Sequence, residues 1–416
     1  MKKVAVIGAG VSGLVCAQKL AEQDLKVVVF EKENYLGGLA SWYNVDGLNI
    51  PRTYHHVLKS DRILLRTIRE LGVQTTWRRV KIGLFSGGKT YPMNRPWDLL
   101  RLEPLSFTDR IKFGLLVLSA KRAKNLEGVD LKNWVERNAS RSVFEKLIAP
   151  LISAYFGSAE GISAAYLANR WKTESTSVTG LLGYVDISQI ILGLKEKILA
   201  QNSEIITDTE VTRIREVGGS FVVEAKDKSF EADYVISTVP APITAKICEG
   251  LPKDLAKELE KIRYKCCICV TYWLKERASD YYWVISLDEK IPFVACFEHA
   301  NLNPNVGGGV VYVVAYCDLD DKIWQTKDEE IAKYYAEYVP FILKNFKDIK
   351  KYRVYRSEWA TPVFRTGFKN PPLKTPIKNL YLAGISRIFP DIRSMGPAIK
   401  TGLEAGGELL SDMRGR

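Results

Sequence analysis

The segment from Val4 to Glu31 constrains this chain more than any other. Val4-Ala5-Val6-Ile7 is a short, β-branched run, and Gly8, Gly10 and Gly13 follow in the order G-x-G-x-x-G. Leu14, Ala17, Leu20 and Ala21 then recur at helical spacing, and a second β-branched run, Val27-Val28-Val29-Phe30, ends on Glu31. Strand, glycine turn, helix, strand, acid, with about 20 residues between the turn and the acid, is the pattern of a dinucleotide-binding βαβ unit. Gly8 suits the tight turn, Gly10 the approach of backbone to a pyrophosphate, and Gly13 close packing of helix on strand. The helix start offers free N–H groups to the phosphates, and Glu31 is placed to accept from a ribose diol. The same letters, two lysines before an apolar run, also resemble a secretory leader. A leader needs neither the third glycine nor a strand ending in an acid.

The rest of the composition narrows the class. A chain of 416 residues is expected to hold two or three subdomains. Its seven cysteines follow no regular framework, which favours a reduced, cytoplasmic setting, and Cys266, Cys267 and Cys269 lie in an apolar run that reads as buried strand. Three histidines, His55, His56 and His299, are too few for a histidine-rich metal site, and no metal is expected. The net charge of +12 favours anionic ligands or a negative surface, while no helix-turn-helix or zinc-finger spacing points to nucleic acid. Ile111 to Leu118, with basic residues on either side, fits a peripheral membrane-interface helix, the mouth of a lipid-sized tunnel or a buried core helix. No feature implies an oligomeric state.

Further motifs narrow the cofactor. Gly37-Gly38-Leu39-Ala40-Ser41 follows shortly after Glu31; Ala232 to Pro240 reads ADYVISTVP; Asn379 to Gly384 reads NLYLAG; and Arg393-Ser394-Met395-Gly396-Pro397-Ala398 opens a last helix. These stretches resemble the FAD-dependent amine-oxidase superfamily, which includes protoporphyrinogen oxidases, phytoene-type desaturases and UDP-galactopyranose mutases. The resemblance implies an α/β fold: a discontinuous, Rossmann-like FAD-binding domain of the glutathione-reductase type over 1–60, 184–245 and 352–416. A mainly helical cap over 61–183 and an antiparallel β-sheet substrate subdomain over 246–351 complete it. It implies FAD as cofactor, contacted by Gly8, Gly10, Val11, Ser12, Gly13, Glu31, Lys32, Gly37, Gly38, Leu39, Ala40, Val211, Gly384, Arg387, Met395, Gly396 and Ala398.

The implied reaction is oxidation of a C–C or C–N bond in a hydrophobic or aromatic small molecule, with the substrate carbon set against flavin N5. Trp359 and Phe364, in EWATPVFRTGF, are candidate aromatic neighbours of the flavin. The alternative is a non-redox flavoenzyme like UDP-galactopyranose mutase, acting on a glycosyl or prenyl diphosphate. Pro51 to His56 lies where the mutases carry a histidine beside the isoalloxazine, so His55 and then His56 are the candidate catalytic residues. Gly88 to Arg95 resembles the mutases' strand entering the substrate domain, which adds Arg95; Tyr155-Phe156-Gly157 stands at their nucleoside-stacking position, which adds Phe156. Lys265 and Cys269 are two registers for the amine oxidases' active-site lysine.

Overall fold

The first helix, Val11–Ala21, shows how the core is organised. Nine of its eleven residues are buried, so it lacks the one-sided apolar stripe of a surface helix and must be covered on several faces. Beneath it runs a parallel sheet of five strands in the order Leu380–Leu382, Tyr234–Ser237, Lys3–Ile7, Lys26–Phe30, Glu204–Ile206. Strands buried on both faces are continuous apolar runs, which is why VAVI and VVVF lack a polar–apolar alternation. Helices Ile187–Leu199 and Met395–Met413 pack beside the first helix in one core. A Cβ on Gly402 would overlap the Ser12 carbonyl oxygen, so this glycine sets how closely the first and last helices cross. The opposite face of the sheet is covered by an antiparallel three-stranded sheet, Val211–Val217, Ser220–Ala225 and Lys228–Ala232.

A computed structural model describes residues 1–174, 179–226, 228–303 and 305–415. Its second large layer is a seven-stranded sheet, ordered Ile349–Pro362, Tyr264–Leu274, Gly309–Cys317, Ala295–Glu298, Tyr281–Ser286, Lys81–Ser86, Lys89–Pro92. Two differences from the sequence reading stand out. Strand Lys81–Ser86 comes from the stretch expected to be mainly helical; together with Lys89–Pro92, which falls inside the Gly88 to Arg95 strand motif, it extends this sheet through a parallel pairing of Leu84 with Ile285. The run Ile349–Pro362, expected largely within the cofactor domain, pairs along Tyr264–Leu274 instead. Both runs are short or charge-rich on their outer face, so their pairing depends on distant partners rather than local pattern. The helices from 107 to 173 pack against this sheet in one core with Trp134, Phe156 and Phe364.

Helix Phe107–Ala120 is capped by Ser106, whose hydroxyl accepts from the Asp109 N–H at 3.2 Å. It buries Phe113, Leu116 and Ala120, while Phe107, Leu115 and Leu118 on its other side are 62%, 59% and 62% exposed. Among the described residues no helix is long and apolar enough to cross a membrane.

Candidate active site

The glycine turn has the geometry its letters require. Gly8 takes a left-handed φ of +99°, and its N–H donates to the Phe30 carbonyl at 2.8 Å, tying the turn to the second strand. A Cβ on Gly13 would overlap the Gly8 carbonyl oxygen, so Gly13 lets the helix lie against the turn and does not itself line the cavity. A Cβ on Gly10 would meet nothing within 4 Å. It points into a cavity of about 1100 Å³, at or above the roughly 300–1,000 Å³ of ordinary small-molecule pockets. The first-turn N–H groups of Val11 and Ser12 have no intrahelical acceptor and border the same space.

Glu31 is buried, and burial pushes its carboxyl up from the ordinary range; backbone N–H groups of Glu33, at 3.0 Å, and Ala9, at 2.8 Å, oppose that shift. Each carboxylate oxygen retains a lone pair for a diol. Gly37 and Gly38 both have positive φ, +98° and +56°, which lets their turn fold back so that the Gly37 N–H donates to the Ala9 carbonyl at 2.9 Å. Lys32, Leu39, Ala40 and Val211 line the same end of the cavity.

The closing strand brings Gly384, φ +94°, to the cavity beside the first helix. Its N–H donates to the Thr401 hydroxyl at 3.1 Å, and that hydroxyl lies 3.0 Å from the Ser12 hydroxyl, so the first and last helices share one polar link beside the cavity. Met395 and Ala398 line the cavity, whereas Gly396 packs against the Asp61 carboxylate, where a Cβ would overlap it. Asp61 also caps helix Arg62–Glu70 through the Leu64 N–H at 3.1 Å.

Arg387 does not reach the cavity. Its Nε donates to the Pro371 carbonyl at 2.9 Å and its Nη1 to the Leu382 carbonyl at 3.3 Å, which makes it a brace for the closing strand rather than a phosphate contact. Arg95 is exposed beside Trp97, because its backbone opens a short 3₁₀ turn at the surface. Phe156 is packed edge-on against Tyr166 in the helical core, and Phe364 is buried among Tyr166, Phe368 and Phe389; neither lines the cavity. Trp359 does line it, edge-on to Tyr264. Lys265 pairs with Asp318 and Cys269 is fully buried in its strand; both lie outside the cavity lining.

His55 and His56 both line the cavity. Burial lowers each to about 4, with a further contribution from Arg393 at His55 and from His55 and Arg170 at His56. Both imidazoles are therefore neutral at pH 7. His55 Nδ1 lies 2.9 Å from the Thr53 carbonyl, which fixes the proton on Nδ1 and leaves Nε2 as an acceptor. His56 Nδ1 lies 3.2 Å from the Tyr282 hydroxyl, with Trp283 tilted against the ring at 5.7 Å.

Around the histidines the fold gathers residues from separate stretches of the sequence. Tyr54 stacks on Phe297 at 3.7 Å; Tyr155 and Arg170 come from two helices, Tyr316 from the seven-stranded sheet, and Arg393 from the approach to the last helix. Arg170 Nη2 donates to the Tyr155 hydroxyl at 3.3 Å, and Arg393 Nη2 to the Tyr316 hydroxyl at 2.7 Å. Tyr54, Tyr155 and Arg393 fall within stretches that the sequence motifs mark, whereas Arg170 and Tyr316 carry no such mark. Among the described residues no group of three or more His, Cys, Asp or Glu side chains is placed to hold a metal.

The family model described as "Flavin containing amine oxidoreductase" matches residues 11–410. The 15-cis-phytoene desaturase of Synechococcus elongatus is 20% identical over 96% of this chain and 94% of its own length. The mitochondrial protoporphyrinogen oxidase of Nicotiana tabacum is 29% identical, over 38% of this chain and 33% of its own. The solved structure of reduced UDP-galactopyranose mutase superposes with a TM-score of 0.79 at 14% identity, covering 99% of this chain and 96% of that one, a likeness of fold alone.

Proposed function

The chain belongs to the flavin-containing amine oxidoreductases, uses FAD, and is an oxidoreductase; from that premise we propose that it oxidises a C–C or C–N bond in a hydrophobic or aromatic small molecule. The observation that carries this reading is a single cavity running from the Gly10 turn to the pair His55 and His56, walled at the histidine end by Tyr54, Tyr155, Tyr316 and Trp283. Val11 and Ser12 would hold the FAD pyrophosphate through their first-turn N–H groups, and Glu31 would accept from the ribose diol. Gly384, Met395 and Ala398 line the cavity and would contact the flavin part of FAD. Bound FAD supplies the two-electron redox chemistry. The chain's own part is to orient the substrate between aromatic walls, to exclude water, and to hold His55 as a neutral acceptor through Nε2.

A second reading has one observation in its favour. Arg170 and Arg393 suit a diphosphate, as a non-redox flavoenzyme of the mutase type requires. The two separate on electrons: anaerobic addition of substrate bleaches the oxidised flavin band under the first reading. Under the second, turnover requires pre-reduced flavin and consumes no electrons.

The reading also has the protein rest on an anionic lipid surface. Phe107, Ile111, Leu115 and Leu118 share one exposed face of their helix, which packs beside the turn that carries exposed Trp97 and Leu100, and exposed Arg95, Arg101, Lys112, Lys121, Arg122 and Lys124 lie on or next to these two elements. An apolar face rimmed by cations is the arrangement that seats a helix at an anionic interface.

A further inference from the structure

Among the described residues the histidine end of the cavity holds one arginine with no counter-ion, Arg393, and from this we infer that the substrate carries an oxyanion, a carboxylate or a phosphate, bound by Arg393. This deepens the flavoenzyme reading and rests on it.

The two arginines of this end differ in their partners. Arg170 is answered by Glu174, 3.2 Å from Nε to Oε2. Arg393 has only neutral partners: the Tyr316 hydroxyl at 2.7 Å and the Ala360 carbonyl at 3.4 Å. Among the described residues no carboxylate lies within 4 Å of its guanidinium. None of the other carboxylates that line the cavity, Glu31, Glu33, Asp61, Glu210 and Glu358, forms an ion pair with Arg393. Asp61 accepts from the N–H groups of Leu64 and Gly396, and Glu31 lies at the far, glycine-turn end. Glu358 is exposed on the outer part of its strand. A guanidinium does not lose its proton, and it presents five donors in a planar fork. Two are used, and Arg393 lines a cavity with aromatic walls, where removal from water strengthens attraction to an anion.

The histidines do not relieve this excess. Both are neutral, and the arginines help keep them so. A protonated amine would enter a site whose nearest unanswered charge has the same sign. The site therefore selects against the cationic amines that the family's description suggests, and for an aromatic or hydrophobic acid. Tyr316 is a positioning residue in this arrangement: its hydroxyl fixes one arm of the Arg393 fork.

The test uses the FAD-loaded protein at pH 7.5, titrated in turn with benzoate, phenyl phosphate and benzylamine while the visible flavin spectrum is followed. At least one of the two anions is expected to perturb the flavin band saturably, and whichever does identifies the oxyanion; benzylamine is expected to leave the band unchanged. Arg393→Gln should weaken the anion at least tenfold and Arg393→Lys should restore part of it. Tyr316→Phe, which leaves the charge in place, should weaken it less than Arg393→Gln. The inference is overturned if neither anion acts on the wild-type protein, if benzylamine acts as tightly as the anions, or if Arg393→Gln binds the anion within threefold of wild type. A protein that takes up no FAD overturns the flavoenzyme reading instead, so the two failures are distinct.

Discussion

Substituting Gly10 by valine separates cofactor binding from folding. Gly10 has φ −68° and ψ 173°, an extended conformation open to any residue, and a Cβ there meets nothing within 4 Å. The apoprotein should therefore keep its stability to within about 1 kcal/mol. The valine side chain would instead fill the space through which a pyrophosphate reaches the first-turn N–H groups. Losing two charge-assisted hydrogen bonds, each worth about 1.5–3 kcal/mol, costs at least about 3 kcal/mol. At about 1.4 kcal/mol per decade this is a hundredfold or greater loss of FAD affinity. Titration of apoprotein with FAD, followed by flavin fluorescence, measures the affinity; circular dichroism melting without FAD measures the fold. A Gly10→Val variant that melts like wild type and binds FAD within threefold of it would refute the assignment of this turn.

Three further outcomes follow from particular contacts. Arg387→Met removes two hydrogen bonds to backbone carbonyls, so it should destabilise the fold by about 1–3 kcal/mol while FAD content stays unchanged; loss of FAD from a folded variant would restore a phosphate role for Arg387. His55 and His56, at about 4, and His299, at about 3, are all lowered by burial, so the unfolded chain binds more protons than the folded one between those values and about 6.5. Stability is then complete above about 6.5 and falls as the pH drops toward 4, and His299→Phe, which keeps a ring between Tyr184 and Tyr312, should move the acid-unfolding midpoint to lower pH; an unmoved midpoint contradicts the neutral assignment. Leu115→Glu together with Leu118→Glu should abolish co-sedimentation with phosphatidylserine-containing vesicles without lowering Tm, since both side chains are exposed; equal sedimentation of wild type and variant would exclude the proposed membrane face.

What could be read from the letters alone was whatever the backbone does over a short span. The turn from Gly8 to Gly13, the doublet Gly37-Gly38 and the acid Glu31 occupy consecutive positions, and positive φ or a missing Cβ leaves glycine as the visible mark. ADYVISTVP and NLYLAG were equally legible, because parallel strands buried on both faces are unbroken apolar runs; they pair as neighbours, Ile236 opposite Tyr381. The histidine end was mostly hidden. Tyr316 reaches Arg393 through the pairing of Gly309–Cys317 with Tyr264–Leu274, and Arg170 reaches Tyr155 through the packing of two helices, neither of which leaves a local pattern. Arg387 misled for a related reason: sequence fixes its place after the Ala-Gly turn, but the open carbonyls of Pro371 and Leu382 decide where its side chain goes. Strand Lys81–Ser86 lay hidden in a helical stretch because its partner, Tyr281–Ser286, is some two hundred residues away, whereas Lys89–Pro92 falls within the Gly88 to Arg95 motif.

The most direct test of the account is the visible absorption spectrum of the purified protein, with the released chromophore identified by chromatography. The account predicts an oxidised flavin band and close to one FAD per chain. A folded protein that is colourless and takes up no added FAD would contradict it.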